Sequence, residues 1–373
     1  MGAMQDVSLR ERYLNALRGN ASDELIWAPN FDYWLAVNSR RGTLPPKYEG
    51  MSRNDIVRSI GAAIWNRVST VNRVLDKSVQ ETWRDVADGV RVHTYVTPLG
   101  AISEEYRRTE DEYSTMALTR HFIKSVADIA IMKYVVEATD YEANYEAAKR
   151  ALVETGDDGV VLSSQMCVPF IQFAKTDAGY IEGVYLFADH ESEVEQLVKA
   201  YTCKYLQMIK LQLASPVDII ACDDNMDELT VSPKLFRRFV LPYYQECKRL
   251  IKGTGKLFEA HWCGRTPHLL PLVPESGLDV VEAVVTEPMA NITLTEALDA
   301  LDGKVTMQGG IPAVMVCADI TPQDKFEKYI ERTILPLRGR KAFVLGMSDN
   351  VPPNADFSRV EAVAKLIAKG AVQ

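Results

Sequence analysis

The second half of the chain repeats one unit: a short, almost wholly apolar stretch of strand length, followed by a segment with the apolar spacing of a helix. "PVDIIACDD" (216–224) precedes "SPKLFRRFVLPYYQECKRLIKG" (232–253), where Ser232 is placed as N-cap, Pro233 as first helical residue and Gly253 as stop. "KLFEAHWC" (256–263) leads to "PHLLPLVPESG", and "LDVVEAVV" (278–285) to "TLTEALDALDG", in which Thr293 and Glu296 have capping-box spacing. "KVTMQGGI" (304–311) and "KAFVLGMSD" (341–349) are followed by "TPQDKFEKYIERTILPL" and "FSRVEAVAKLIAKG". Strands that are apolar on both faces are buried on both, and alternation with helices lays them side by side in a parallel sheet. An open doubly wound sheet would bring a glycine-rich phosphate turn after its first strand, and neither GxGxxG nor GxxxxGK[ST] occurs. The expected fold is therefore an α/β (β/α)8 TIM barrel, with its active site at the C-terminal strand ends.

The first half carries fewer signals. "SDELIWAP" (22–29) and "GVVLSS" (159–164) read as early strands, which brings the strands located to seven and leaves the eighth without a place. "GVRVHTYVTPLGAISEEYRRT" (89–109) alternates like a hairpin turning at Pro98 and Gly100, and residues 111–138 hold at least one helix. With no linker or repeat to divide it, the chain reads as one domain over residues 1–373, in which 31–150 form a helical and hairpin elaboration over the barrel mouth.

Charge and composition exclude some partners. A formal charge of −9 and a pI near 5.3 argue against a general nucleic-acid surface, which needs a basic face. No run of about 18 apolar residues is present to cross a bilayer and no signal-peptide pattern opens the chain, so no membrane partner and a cytoplasmic address are expected. The 6 cysteines are scattered rather than spaced as a disulfide framework.

The strand ends concentrate the chemistry. In an extended "EAHWC" alternate side chains share a side, so Glu259, His261 and Cys263 point together and can offer oxygen, nitrogen and sulfur to a zinc ion. Glu282 on the next unit and Asp349 on the last are candidates to complete the set. The same spacing also suits a buried His and Cys packed beneath a loop. Asp223 and Asp224 end a strand, where one can cap the loop and another face the cavity as an acid or base; Glu282, a carboxylate inside an apolar strand, must find a donor or a metal. The glycines beside Gln308 allow close approach of a bound group or tight packing. In "APNFDYWLAVNSRRGTLPPKYEG" (28–50), Phe31, Tyr33, Trp34 and Tyr48 could wall a pocket for a flat organic substrate, or pack as ordinary core. His93, His121, His190 and His268 have no partner at ligand spacing.

"DDNMDELTVSPKLFRRFVLPYYQE", "HWCG", "MQGGI" and "LGMSDNVPPNADFSRVEA", in this order over about residues 216–365, resemble the uroporphyrinogen decarboxylase-like superfamily of barrels. That group contains the decarboxylase and corrinoid-linked methyltransferases. "FDYWLAVNSRRGTLPPKYEGMSRNDIVRSIGAAIWNR" and "TYVTPLGAISEEYRR" resemble the subgroup that removes methyl groups from aromatic methyl ethers such as guaiacol and veratrol. The decarboxylase's arginine-rich signature, RQAGRYLPEY in form, has only a superficial echo in "SRRGTLPPKY". The resemblance implies zinc held by His261 and Cys263, with Asp349 standing where a third thiolate is expected. Further implications are catalytic acids among Asp223, Asp224 and Glu282, substrate contacts from Phe31, Tyr33, Trp34 and Gln308, a corrinoid (cobalamin) on a separate partner protein, and a homodimer. A decarboxylase-like enzyme acting on another acid, or a non-catalytic corrinoid- or tetrapyrrole-binding protein, are the alternatives.

Overall fold

The computed structural model describes residues 7–20, 24–109 and 115–369; the first residues of the expected elements 22–29 and 111–138, and the last of 357–370, lie outside them. The strands are β1 (Ile64–Val68), β2 (Val71–Leu75), β3 (Gln80–Ala87), β4 (Val90–Thr97), β5 (Gly100–Arg108), β6 (Met116–Arg120) and β7 (Thr139–Ala143). They continue with β8 (Gly159–Met166), β9 (Ile219–Cys222), β10 (Leu257–His261), β11 (Val280–Val284), β12 (Thr306–Ile311) and β13 (Phe343–Met347). Seven are parallel neighbours in the order β1, β8, β9, β10, β11, β12, β13. The short segment around Trp27 closes the ring. It bridges β13 at Leu345, and its Trp27 carbonyl accepts from the Ala63 amide at 2.7 Å, just ahead of β1. The fold is the expected (β/α)8 barrel, and its eighth strand is β1.

Every residue of β9 to β13 is buried, which accounts for their unbroken apolar runs. Inside the barrel, Val160, Ile219, Leu257, Val280 and Val344 pack against Tyr13 and Leu17 of the N-terminal helix α1 (Leu9–Leu17), which plugs the end opposite the active face. Each such side chain contributes about 1.5–3 kcal/mol by leaving water. Ser232 and Thr293 cap their helices as expected, the latter in a full capping box. The helix expected at 267–277 is instead a 3-10 stretch over Leu270–Glu275, because Pro271 and Pro274 remove the amides a longer helix needs.

The structure narrows the elaboration expected at 31–150. Helices α2 (Asp32–Arg41) and α3 (Arg53–Ser59) lead into β1, a barrel strand, so the insertion proper begins after it. It consists of the antiparallel sheet β3-β4-β5-β6, the β2–β7 pair and α4 (Val126–Glu137), which packs along the helix Glu191–Leu213. Helix α5 (Glu146–Thr155) returns to the wall beside β1 and β8. The insertion is tied to the segment after β8, at the C-terminal strand ends, by the Ile123 amide donating to the Asp177 carbonyl at 2.8 Å. Among the described residues, no helix is long and apolar enough to cross a membrane.

Candidate metal centre

The inward-facing residues of β10 are Leu257, Glu259 and His261, read from the plugged end outward. His261 is level with Glu282 of β11, which is level with Gln308 of β12, so parallel register alone stacks three polar groups around one height of the barrel. His261 and Glu282 are hydrogen bonded through Nδ1 and Oε2. The imidazole is thereby oriented with Nε2 turned to the mouth, 3.6 Å from Asp349 Oδ1. One ligand atom each from His261, Cys263 and Asp349 lie within 4.8 Å of one another. Cys263 stands just past the strand, where Gly264 lets the chain turn close to its neighbour: a Cβ there would lie 2.3 Å from the Met226 carbonyl oxygen.

This donor set fits a metal. Nitrogen, sulfur and oxygen converge, and a carboxylate holds the far ring nitrogen as second partners of metal-bound histidines do. Burial alone pushes the His261 imidazole down, but the Glu282 charge beside it reverses the effect, Cys263 adds to it, and the ring is held well above the usual histidine range. Two backbone outliers flank the centre. Asp349 has φ 136° and Ala283, next to Glu282 at a bulge in β11, has φ 68°, conformations that L-residues adopt only where the surroundings enforce them. Replacing Glu282 by Gln is expected to weaken metal binding by about 10–100-fold; competition against a chelating dye measures it, and a change below about twofold contradicts the orienting role.

Arg67 of β1 completes the rim. Its Nη1 donates to Asp223 Oδ1 at 2.5 Å, Nη2 lies 3.5 Å from Glu282 Oε2, and the guanidinium sits 4.5 Å from the Trp65 ring centroid. The Ser164 hydroxyl also donates to Asp223. From Arg67 a groove of about 640 Å³ runs outward past Arg53, Asn66 and Arg150.

Glu259 shares the inward face with His261 but lies deeper, fully buried, and among the described residues neither carboxylate oxygen has a hydrogen-bond partner. It does not join the group formed by His261, Cys263 and Asp349. Burial raises its carboxyl to about 8, the Glu282 charge adds to the rise, and Arg67 opposes it. Since the unfolded carboxyl titrates near 4.5, the native state retains an extra proton between the two values, and stability falls as pH rises through that window. Glu259→Gln is expected to flatten this slope, which for one proton is at most about 1.4 kcal/mol per pH unit. Urea melts of the metal-free protein between these pH values check it, and an unchanged slope contradicts it.

The remaining candidates lie elsewhere. Asp224 faces away from the barrel interior: it accepts from the Val168 amide at 2.7 Å and from the Tyr244 hydroxyl, so it braces the wall behind β9. Gln308 reaches inward, but its Oε1 accepts from the Tyr13 hydroxyl at 2.7 Å and is committed to the plug. Phe31 and Trp34 are buried in an aromatic cluster, with Trp34 stacked 3.8 Å from Phe357 of the C-terminal helix and Tyr48 edge-on, while Tyr33 is exposed. Arg67, Ser164 and Tyr13 escape a reading by motif; the pattern Trp65/Arg67 in "IWNRV" is the one signal that would have placed an arginine at the mouth.

The family model for uroporphyrinogen decarboxylase (URO-D) matches residues 102–370, and the chain belongs to that family. A methyltransferase from Methanosarcina mazei is similar in structure, with a TM-score of 0.60 at 12% identity over 98% of this chain and 99% of that one. A GH18 chitinase from Pseudoalteromonas aurantia superposes with a TM-score of 0.32 at 11% identity, over 60% of this chain and 82% of the other. No curated protein matches in sequence. The family match and the likeness to the methyltransferase establish the barrel, in a family of enzymes.

Proposed function

We propose that the protein is a cytoplasmic methyltransferase that takes a methyl group from a phenyl methyl ether of the guaiacol or veratrol type and delivers it to the Co(I) corrinoid of a separate protein. One observation carries the reading: His261, Cys263 and Asp349 converge at the open end of the barrel, with a carboxylate behind the imidazole. His261, Cys263 and Asp349 would hold zinc, which when bound supplies Lewis acidity to the ether oxygen. An oxygen ligand in place of a thiolate leaves more positive charge at the metal, which suits stabilising a departing phenoxide. Glu282 orients the histidine, and Arg67, anchored by Asp223, fixes the charge balance of the rim. The plug of α1 closes one end of the barrel, so substrate and partner meet at the other.

A decarboxylase-like reading is favoured by Arg67 itself, whose Nε and Nη2 make no hydrogen bond among the described residues and suit a substrate carboxylate. Elemental analysis combined with turnover on guaiacol, veratrol and methanol, with reduced corrinoid protein supplied, separates the two. Zinc near one per chain and methyl transfer from the aryl ethers are expected. A metal-free enzyme that releases CO₂ from an acid would replace the first reading by the second.

A further inference from the structure

A second cavity, of about 240 Å³, lies outside the barrel between β4, β5, α4 and the helix Glu191–Leu213, and shares no residue with the metal centre. Its polar wall holds two buried carboxylates. Glu104 accepts through Oε1 from His93 at 2.9 Å and from the Tyr106 hydroxyl at 3.1 Å, while its Oε2 has no hydrogen-bond partner among the described residues although the residue is only 4% exposed. Asp177 accepts from Gln172 at 2.9 Å and from the Tyr201 hydroxyl at 2.8 Å; burial raises its carboxyl to about 7, and the Glu104 charge adds to the rise. A buried carboxylate oxygen left without a donor, with a second buried carboxylate on the same wall, suits a donor carrying positive charge. The cationic side chains nearby are already engaged: Arg73 with Glu81 and, at 2.6 Å, the Tyr95 hydroxyl, Lys124 with the Ser103 and Phe122 carbonyls, and His93 between Glu104 and, at 2.7 Å, Glu81.

The rest of the lining says what kind of cation fits. Tyr95 and Phe122 stack at 5.1 Å, Tyr201 and Tyr205 lie 5.3 Å apart, and all four rings border the cavity. Aromatic faces attract a desolvated ammonium. Met132, Val135 and Val136 of α4 supply an apolar floor. A bare metal ion would leave most of this volume unfilled, since a cavity of about 150 Å³ already accepts benzene.

We propose that this cavity binds a small primary organic ammonium, its nitrogen against Glu104 and Asp177 and its hydrocarbon part against Met132 and Val135. The site is independent of the reaction proposed for the barrel. The test is calorimetric titration of the whole protein with benzylammonium, and with benzyl alcohol and benzoate as neutral and anionic counterparts. One equivalent of benzylammonium is expected to bind, with each counterpart at least about tenfold weaker. Glu104→Gln is expected to weaken binding by at least about tenfold, and Val135→Phe, which fills the floor, to abolish it, while His261→Ala leaves it unchanged. Should Glu104→Gln fail to fold, Asp177→Asn tests the same contact. Absence of binding, benzoate binding as tightly as the amine, binding indifferent to both Glu104→Gln and Val135→Phe, or loss in His261→Ala would each overturn the proposal.

Discussion

Replacing His261 by Ala is expected to strip the metal from the protein and to lower turnover at least ~10³-fold, the loss that follows when several kcal/mol of charge stabilisation disappears. The imidazole is the one ligand fixed from both sides, with Nδ1 on Glu282 and Nε2 beside Asp349. Without it, Cys263 and Asp349 are two donors on separate segments, too few for a catalytic zinc site. The barrel itself should survive, because Glu282 keeps the Arg67 guanidinium 3.5 Å away as a counter-charge. Metal content by emission spectrometry and methyl transfer on the same preparation check both halves. Metal retained at one per chain would show that other residues hold it.

Replacing Arg67 by Ala is expected to be the most destabilising single change at the site, by about 3 kcal/mol, the lower end of the range for a broken buried pair because the side chain keeps some exposure. Arg67 faces three carboxylates: Asp223 at 2.5 Å, Glu282 at 3.5 Å, and Glu259, whose raised titration it opposes. Its loss takes the ion pair from Asp223 and leaves the buried Glu282 with the His261 imidazole as its counter-charge. Urea unfolding of Arg67→Ala, Glu282→Gln and the double variant measures the effect and its origin. The double variant should recover part of the loss. A drop below about 1 kcal/mol, or strictly additive losses, would mean that Arg67 does not balance these acids.

How far the residues themselves disclosed this arrangement depended on how strongly each segment was patterned. The five units after Ser215 were legible because every residue of β9 to β13 is buried, and a strand covered on both faces has to be apolar at nearly every position. β1 was not, because "IWNRV" is half-buried at its outer end and mixes Asn and Arg into five residues, the composition of an irregular segment. Missing it hid Arg67. Alternation correctly puts Glu259 and His261 on one inward face, but it cannot state depth, and depth separates a carboxylate lacking hydrogen bonds in the barrel core from a histidine at its mouth. Adjacent acids pose the opposite problem. Asp223 and Asp224 follow the end of β9 and take different partners, and only the packing of Tyr244 and Val168 around Asp224 decides which one looks outward. Phe31, Trp34 and Tyr48 look the same in sequence whether they face a substrate or Phe357. His93 had no ligand-spaced neighbour in sequence; it meets Glu104 only because the antiparallel register of β4 and β5 sets the two opposite each other.

X-ray absorption at the zinc edge of the zinc-reconstituted protein addresses the centre most directly. One sulfur scatterer at about 2.3 Å together with nitrogen and oxygen scatterers at about 2.0–2.2 Å is the result expected of Cys263, His261 and Asp349 around one ion. A spectrum without sulfur, or a protein that returns the metal to a weak chelator unchanged, would contradict it.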